Sequence, residues 1–357
     1  MKIMIVDDTI AYRSQLKNIL TDIDGIEVVA TAANGKIALQ KIEQIPVDLV
    51  ILDIEMPEMD GLQTVKEIKQ RGYSDIKIIM FSGLSRSATS TTLEALHLGA
   101  NDVVAKPGDK VRSMEDAVAH IKTELVSKIL QFRDRRPTAP AAPAPKPTAQ
   151  RAGWRRVRLR DFYPRVVVIA SSTGGPQALE DLFLNVGSSF CPPILIVQHM
   201  PPVFTDMLAR RLDKISPMQF EEAKDGQPVR KGRAYIAPGD FHMELKTGPD
   251  GGLQVGLHQK AKENSVRPAA DFLFRSTAEI IASNCLGIVL TGMGQDGKLG
   301  ALAIKNAGGA IFIQNKASCV VWGMPAAVHS DGAYDETGTI DDCRRVIQNL
   351  SDVGLGG

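Results

Sequence analysis

Three polar segments in the second half of the chain each follow a short apolar run, and together they supply a serine, a histidine and an aspartate. The residues are Ser172, His199 and Asp296. If the apolar runs are strands of one open parallel sheet, their carboxyl ends share an edge where ligands bind. A nucleophile, a base and an orienting acid can meet there although they lie far apart in sequence. The pattern predicts a serine hydrolase site.

Each of these residues also has a simpler interpretation. A histidine beside an apolar run is usually structural, but His199, one of six in the chain, shares the predicted edge with the other two residues. Asp296 also suits the N-cap of a helix predicted to begin near Lys298. The glycines between Ser172 and Pro176 allow close approach of the backbone to a substrate, and the N–H groups of the following helix would stabilise an oxyanion. The segment lacks the lysine of a phosphate loop and the GxGxxG dinucleotide pattern.

A second group of polar residues lies in the first half of the chain, also at the ends of apolar runs. Asp7 and Asp8 follow the first run, Asp53 the third, Ser82 the fourth and Lys106 the fifth. Three carboxylates at one sheet edge repel each other unless a hard divalent cation such as Mg²⁺ is bound. Any one of these acids alone is more simply a solvated loop residue. Their coincidence at several strand ends predicts phosphoryl transfer onto Asp53.

Both halves alternate strands and helices, which predicts an α/β fold with parallel sheets and right-handed crossovers. In the first half we predict five strands, near residues 3–6, 26–30, 49–52, 76–81 and 102–104. In the second half we predict strands near 166–170, 194–197, 287–290 and 310–314, and helices beginning at Pro176, Phe204, Pro268 and Lys298. The turn from Thr247 to Gly252 predicts an antiparallel hairpin. The expected architecture is two doubly wound domains, the second extended by the hairpin.

A stretch rich in proline, alanine and arginine separates the halves. Residues 133–160 carry nine basic residues and one acidic residue, whereas the flanking parts are mildly acidic. Such a segment cannot build a core and predicts an extended spacer. It lacks a folded element for reading nucleic acid, so we expect no specific nucleic-acid binding. The predicted domains are therefore residues 1–132 and 161–350, joined by a linker over 133–160.

The composition excludes several classes of protein. No apolar run approaches the roughly 20 residues that a membrane-spanning helix requires, and Asp7 and Asp8 come too early for a signal peptide. We therefore expect no membrane insertion and a cytoplasmic location. The four cysteines have no metal-type spacing and are most simply reduced thiols. Cys285 adjoins an apolar run and is predicted to be a core residue rather than a nucleophile.

The first half closely resembles the receiver domain of two-component response regulators. The resemblance rests on Asp7, Asp8, Asp53, Ser82 and Lys106 and covers nearly all of residues 1–130. The resemblance implies a flavodoxin-like fold, Mg²⁺-dependent phosphorylation and a histidine kinase as phosphodonor. Many receivers have an aromatic switch residue where this chain has Val103. The implied site comprises Asp53 as phospho-acceptor, Asp8 and Asp53 as direct metal ligands, Asp7 acting through water, a metal contact from the Glu55 carbonyl, and Ser82 and Lys106 as sensors of the phosphoryl group.

The second half is similar to the chemotaxis protein-glutamate methylesterase family, CheB, over residues 165 to about 330. Six ordered motifs carry the similarity, and they lie at residues 172–175, 198–202, 235–240, 267–268, 290–297 and 317–325. The similarity implies a triad of Ser172, His199 and Asp296, with backbone N–H groups near Thr173 and Met293 as oxyanion donors. No cofactor is implied for hydrolysis. The family usually has glycine where this chain has Ser171. Aligning the Thr-Gly-Gly sequence at residues 173–175 with the family motif selects Ser172 as the nucleophile. A second difference is Gln295, which replaces a more common asparagine.

These features favour a phosphorylation-activated esterase. The resemblance implies that the substrates are methylated glutamates on the cytoplasmic helices of chemoreceptors, that glutamine deamidation is a second reaction, and that the unphosphorylated receiver covers the catalytic crevice. A non-catalytic response regulator that acts through binding is the alternative, and the intact Ser172, His199 and Asp296 set argues against it. Transcriptional output ranks last, because no helix-turn-helix or winged segment follows the receiver.

Overall fold

The computed structural model describes residues 1–107, 114–133, 154, 156–184 and 191–352. The chain divides into two compact units, residues 1–140 and 141–357. Most of the predicted linker, residues 134–153 and 155, lies outside the described residues. The extended form of this linker and the domain limits 1–132 and 161–350 therefore stay predictions.

The first unit contains one parallel sheet. Its strands are β1 Lys2–Val6, β2 Glu27–Ala32, β3 Leu49–Asp53, β4 Lys77–Ser82 and β5 Asp102–Ala105. They lie in the order β2-β1-β3-β4-β5, and every pair is parallel. All five predicted strands are confirmed. The order in which the chain adds strands reverses between β1 and β3, and in doubly wound sheets ligands bind at the carboxyl ends of the strands beside that point.

Within the described part of this unit, five helices connect and cover the strands. They are α1 Ile10–Thr21, α2 Gly35–Ile42, α3 Gly61–Gln70, α4 Arg86–His97 and α5 Met114–Arg133. The last helix packs through one apolar stripe, since Ile121, Leu125, Ile129 and Phe132 are all buried. Across the parts of the chain that the structure describes, no helix has both the length and the apolar character needed to cross a membrane.

The second unit contains a larger parallel sheet and a separate hairpin. The sheet strands are β6 Val166–Ser171, β7 Ile194–Gln198, β8 Gln219–Glu222, β9 Arg233–Ile236, β12 Cys285–Val289, β13 Ala310–Gln314 and β14 Glu336–Gly338. Their order is β14-β13-β12-β6-β7-β9-β8. The hairpin strands, β10 His242–Thr247 and β11 Leu253–His258, pair antiparallel. The doubly wound sheet with a hairpin extension is therefore confirmed.

Six helices among the described residues flank this sheet. They are α6 Gly175–Phe183, α7 Phe204–Ile215, α8 Ala270–Ile281, α9 Lys298–Asn306, α10 Met324–Ser330 and α11 Ile340–Asp352. The predicted start of α8 at Pro268 is two residues early, because Ala269 is still extended and forms the N-cap. The other three predicted helix starts are correct to within one residue.

The last strand predicted from the sequence, β13, is not the edge of the sheet. β14 pairs with β13 beyond it, and β8 forms the opposite edge. β8 reads Gln-Phe-Glu-Glu and β14 reads Glu-Thr-Gly. Short polar edge strands have no continuous apolar run of the kind that marks a strand buried on both faces. Only pairing with a neighbour identifies them as strands.

Candidate active site

The order of the second sheet brings Ser172, His199 and Asp296 to one edge. β12, β6 and β7 are adjacent in that order. Ser172 follows β6 directly, His199 follows β7 directly, and Asp296 lies in the loop between β12 and α9. The strand order reverses between β6 and β12, which is where an open sheet of this type forms its crevice.

A hydrogen bond joins His199 to Asp296. Nε2 of the imidazole lies 2.8 Å from Asp296 Oδ2, and the aspartate is 1% exposed. Burial alone would raise the pKa of Asp296, but the hydrogen bond and charge of His199, together with the backbone N–H groups of Ala270 and Asp271, outweigh burial and lower that pKa. With Nε2 engaged by the carboxylate, Nδ1 is the ring nitrogen left to accept a proton.

The two neighbouring serines have different surroundings. Ser171 is fully buried, and its hydroxyl donates to Gln198 Oε1 at 2.7 Å. Ser172 is half-buried, and among the described residues its hydroxyl has no hydrogen-bond partner, His199 included. The backbone of Ser172 is held on both sides, because its N–H donates to Thr291 O at 3.0 Å and its carbonyl accepts from Gln198 Nε2 at 3.0 Å.

Glycine is required after this serine for two reasons. Gly174 has φ 76° and forms the N-cap of α6, and a β-carbon on it would lie 2.5 Å from Val320 Cβ. A β-carbon on Gly175 would lie 1.9 Å from Gln198 Oε1. The chain can therefore pass between the strand end and the opposite loop only without side chains at these positions.

The predicted oxyanion donors lie on two loops of the same edge. Thr173 is 2% exposed, and its carbonyl accepts from Thr291 Oγ1 at 2.9 Å. Met293 is half-buried, and its backbone N–H donates to no partner within the described residues. The Thr291 hydroxyl also accepts from Val321 N at 2.9 Å. Thr291 thus ties together the loops that carry the two predicted donors.

Asp296 does cap a helix, but not the one predicted. Gly297 is the N-cap of α9. The Asp296 carboxylate instead accepts from the backbone N–H groups of Ala270 at 2.6 Å and Asp271 at 3.1 Å, at the start of α8. Asp271 in turn accepts from Gly300 N at 2.6 Å. Asp296 therefore caps the helix that contains Asp271, and Asp271 caps the helix that follows Asp296, a relationship that sequence proximity cannot predict.

Several residues of this region were not predicted from the sequence to belong to the site. Gln198 and Thr291 lie inside the quoted motifs, and their polar character after apolar runs is the signal that would have identified them. Asn264 and Asp271 carried no such signal. His242 is fully buried, and its Nδ1 accepts from Ala269 N at 3.1 Å.

The first unit brings together the predicted phosphorylation residues. Oxygens of Asp7, Asp8 and Asp53 all lie within 4.8 Å of one another. Lys106 Nζ lies 2.8 Å from Asp53 Oδ2 and 3.0 Å from Asp7 Oδ2. Burial raises the pKa of Asp53 to about 6, although Lys106 opposes the shift. Burial disfavours the charge of Lys106, but Asp53 and Asp7 outweigh it and raise the pKa of Lys106.

These residues fit a hard divalent cation. Three carboxylates in one cluster with one ammonium leave negative charge that oxygen-preferring Mg²⁺ neutralises. Glu55 is exposed beyond the end of β3, where its carbonyl is predicted to contribute. The buried Ser82 hydroxyl donates to Gly83 O at 3.2 Å and accepts from Thr92 Oγ1 at 2.8 Å. Val103 is 2% exposed, so a small apolar side chain fills the position of the switch residue.

Comparison with known proteins gives a consistent result for both units. The CheB methylesterase family model matches residues 167–347 and the response regulator receiver domain model matches residues 3–118. A protein-glutamate methylesterase/protein-glutamine glutaminase of Trichodesmium erythraeum is 44% identical, with 94% of each chain covered. Its counterpart in Thermotoga maritima is 38% identical, again with 94% of each covered. The crystal structure of the Thermotoga maritima CheB methylesterase catalytic domain has a TM-score of 0.50 and 43% identity, covering 52% of this chain and 98% of that one.

Proposed function

The chain belongs to the CheB methylesterase family, and from this premise we propose that it is a phosphorylation-activated protein-glutamate methylesterase that also deamidates glutamine side chains. The observation that carries the proposal is the meeting of Ser172, His199 and Asp296 after three adjacent strands, with a 2.8 Å hydrogen bond between the histidine and the aspartate. Its relatives are named for both reactions.

Ester hydrolysis follows from the roles these groups can take. Ser172 Oγ attacks the ester carbonyl carbon while His199 Nδ1 accepts the hydroxyl proton. Asp296 keeps the imidazole in one tautomer and stabilises the imidazolium. Collapse of the tetrahedral intermediate breaks the bond to the methoxy group, which takes the proton from His199 and leaves as methanol. A water molecule, activated by the same histidine, then cleaves the acyl-enzyme to free glutamate and Ser172. With a glutamine substrate, ammonia leaves in place of methanol.

Backbone groups are proposed to stabilise the oxyanion of that intermediate. The N–H groups of Met293 and Thr173 lie on loops that Thr291 joins by hydrogen bonds. The N–H of Met293 is not engaged by any described residue, which leaves it available to substrate. Fixed donors that face the developing charge need no reorganisation during the reaction, and each typically contributes about a hundredfold or more in rate.

Control by phosphorylation is proposed to act through Asp53. Its carboxylate is the nucleophile for a phosphoryl group, and Lys106 holds the charge of the product. Mg²⁺ held by Asp7, Asp8 and Asp53, with the Glu55 carbonyl, would neutralise phosphoryl oxygens when bound. Ser82 contacts the phosphoryl group after transfer. We propose a histidine kinase as the phosphodonor and the helices of methylated chemoreceptors as the substrate.

The direct test is methanol release from methylated receptor membranes, with and without a small-molecule phosphodonor. We expect slow release from the unphosphorylated protein and faster release once the phosphodonor and Mg²⁺ are added. A chain that binds the receptor membranes but releases no methanol in either state would instead be the alternative, a phosphorylation-dependent binding module.

A further inference from the structure

A tight turn over the start of α8 presents Asn264 to the triad acid. Glu263 and Val266 form an antiparallel bridge, and Val266 N donates to Glu263 O at 3.0 Å. Asn264 and Ser265 between them have φ 52° and 65°. Two successive positive φ values are typical of a type I′ turn, and asparagine is among the residues that tolerate this conformation. The backbone of Asn264 is therefore fixed by the turn.

The side chain of Asn264 joins two buried carboxylates. Its Nδ2 donates to Asp296 Oδ1 at 3.1 Å and to Asp271 Oδ2 at 3.1 Å. Both aspartates are 1% exposed, whereas Asn264 itself is exposed. An amide nitrogen carries two hydrogens, so one group can serve both carboxylates at once. The amide thus offsets the repulsion between two acids that burial has brought together.

Asn264 also completes the hydrogen-bond shell of Asp296. Oδ2 of Asp296 contacts His199 Nε2 at 2.8 Å and Ala270 N at 2.6 Å. Oδ1 accepts from Asp271 N at 3.1 Å and from Asn264 Nδ2 at 3.1 Å. Two acceptor sites on each oxygen are therefore used, which fixes the rotation of the carboxylate that faces His199.

The turn is anchored to the same helix that Asp296 caps. Arg275 of α8 forms a bidentate ion pair with Glu263, at 2.7 and 2.6 Å. His242 links the loop before the turn to the start of α8, because its Nε2 contacts Ala261 O and its Nδ1 accepts from Ala269 N, each at 3.1 Å. Asn264 is therefore held against Asp296 by contacts on both sides of the turn.

We propose that Asn264 is a positioning residue of the triad, which orients Asp296 and limits the negative charge that His199 experiences. This rests on the proposed function, since His199 must be the base. The charged and titratable groups around Asp296 are His199, Asp271, His242 and Arg275. Asn264 is neutral throughout, so replacing it changes the charge on no group directly. A carboxylate that has lost this donor holds the protonated imidazole more strongly.

The test compares Asn264→Ala and Asn264→Gly with Ser265→Ala in the full-length protein. Ser265 lies in the same turn with a positive φ, and within the described residues its side chain makes no hydrogen bond, so it is the matched control. Glycine relieves the backbone strain at position 264 and still lacks the amide. We expect both Asn264 variants to lose about tenfold in kcat/KM and to move the acidic limb of its pH profile to higher pH, while Ser265→Ala matches the wild type.

The proposal is overturned if Asn264→Gly regains wild-type activity, or if the acidic limb of the Asn264 variants stays in place or moves to lower pH. An NMR titration of the His199 imidazole requires no turnover, so it reads the same shift even if the wild type releases no methanol. Failure of the positioning role and failure of the esterase function can therefore be told apart. Circular dichroism establishes that each variant is folded.

Discussion

The Ser171 hydroxyl donates a 2.7 Å hydrogen bond to Gln198 Oε1, and this contact distinguishes two adjacent serines that the sequence presents as near equals. A hydroxyl that is fully buried and already engaged cannot reach a substrate. Ser172, one position later, is half-buried and lies beyond the strand end, so it has the access that a nucleophile needs.

The first prediction concerns which of the two serines, Ser171 or Ser172, is the nucleophile. We expect Ser172→Ala to lower kcat for methyl-ester hydrolysis by about 10⁶-fold, the typical loss when a triad nucleophile is removed. Ser171→Ala should stay within about tenfold of the wild type, because it loses one neutral hydrogen bond. Methanol release measures both. If Ser171→Ala were the inactive variant, the nucleophile assignment would be wrong.

The second prediction concerns activation through Asp53. Asp53→Asn retains the size of the side chain but cannot accept a phosphoryl group as a carboxylate does. We expect it to remove the increase in methanol release caused by a phosphodonor and to leave the unstimulated rate within about twofold of the wild type, because Asp53 supplies no group to the proposed triad. Activation that survived this substitution would exclude Asp53 as the control point.

The third prediction concerns pH and Asp271. Burial, followed by the charge of Asp296, raises the pKa of Asp271 to about 6 from the ordinary 3.8. Between these values the folded protein binds more protons than the unfolded chain, so the free energy of unfolding contributed by this group falls as pH rises. The free energy of unfolding that Asp271 contributes is fully present below pH 3.8 and is lost as the pH rises through about 6.

In the Asp271→Asn variant, the side chain at this position does not titrate between these pH values. We expect the stability of this variant relative to the wild type to improve between pH 4 and pH 7, by about 1–3 kcal/mol, in urea or thermal unfolding. A stability difference that is independent of pH would show that Asp271 ionises in the folded protein as it does in the unfolded chain.

The fourth prediction concerns the close approach at Gly175. A β-carbon there would lie 1.9 Å from Gln198 Oε1 and 2.9 Å from Ser171 Cβ. Gly175→Ala should displace Gln198, lower the free energy of unfolding by about 1–3 kcal/mol and reduce hydrolysis, since Gln198 Nε2 holds the Ser172 carbonyl.

Gln177→Ala is the control for this change. Gln177 lies two residues further along α6, and its Nε2 bonds Asp181 at 2.9 Å on the same helix. We expect its stability and activity to stay near those of the wild type. Equal effects of the two substitutions would mean that general disturbance of α6, rather than the Gln198 contact, is responsible.

The fifth prediction concerns the thiols. Cys191, Cys285, Cys319 and Cys343 are all buried, and burial raises the pKa of Cys285 to about 12. Because the thiolate is the reactive form, iodoacetamide under native conditions near pH 8 should leave methanol release unchanged. Alkylation should become complete only after unfolding, as mass spectrometry can measure. Rapid inactivation by the reagent would argue for a cysteine in the chemistry.

Most of the strands and the candidate site residues could be predicted from the sequence alone. Apolar runs long enough to be buried on both faces predicted the five strands of the first sheet and the strands β6, β7, β12 and β13 of the second, because hydrophobic burial is recorded in consecutive residues. Polar residues directly after those runs, such as Asp53 and His199, predicted the sites, since parallel strands end at a common edge. The motifs around Ser172 and Asp296 indicated a resemblance to the CheB methylesterase family, and the comparison with known proteins confirms that family.

The contacts between segments that are distant in sequence could not be predicted and became visible in the folded structure. The edge strands β8 and β14 are recognisable by their partners rather than by their residues. Likewise, the contacts of Asp296 with Ala270 and Asn264 join segments about 30 residues apart. Hydrogen bonds of this kind depend on how α8 and α9 pack, and a linear pattern holds no record of that packing. The sequence thus predicted Asp296 as the acid of the proposed triad, while the fold determined which contacts hold this side chain in place.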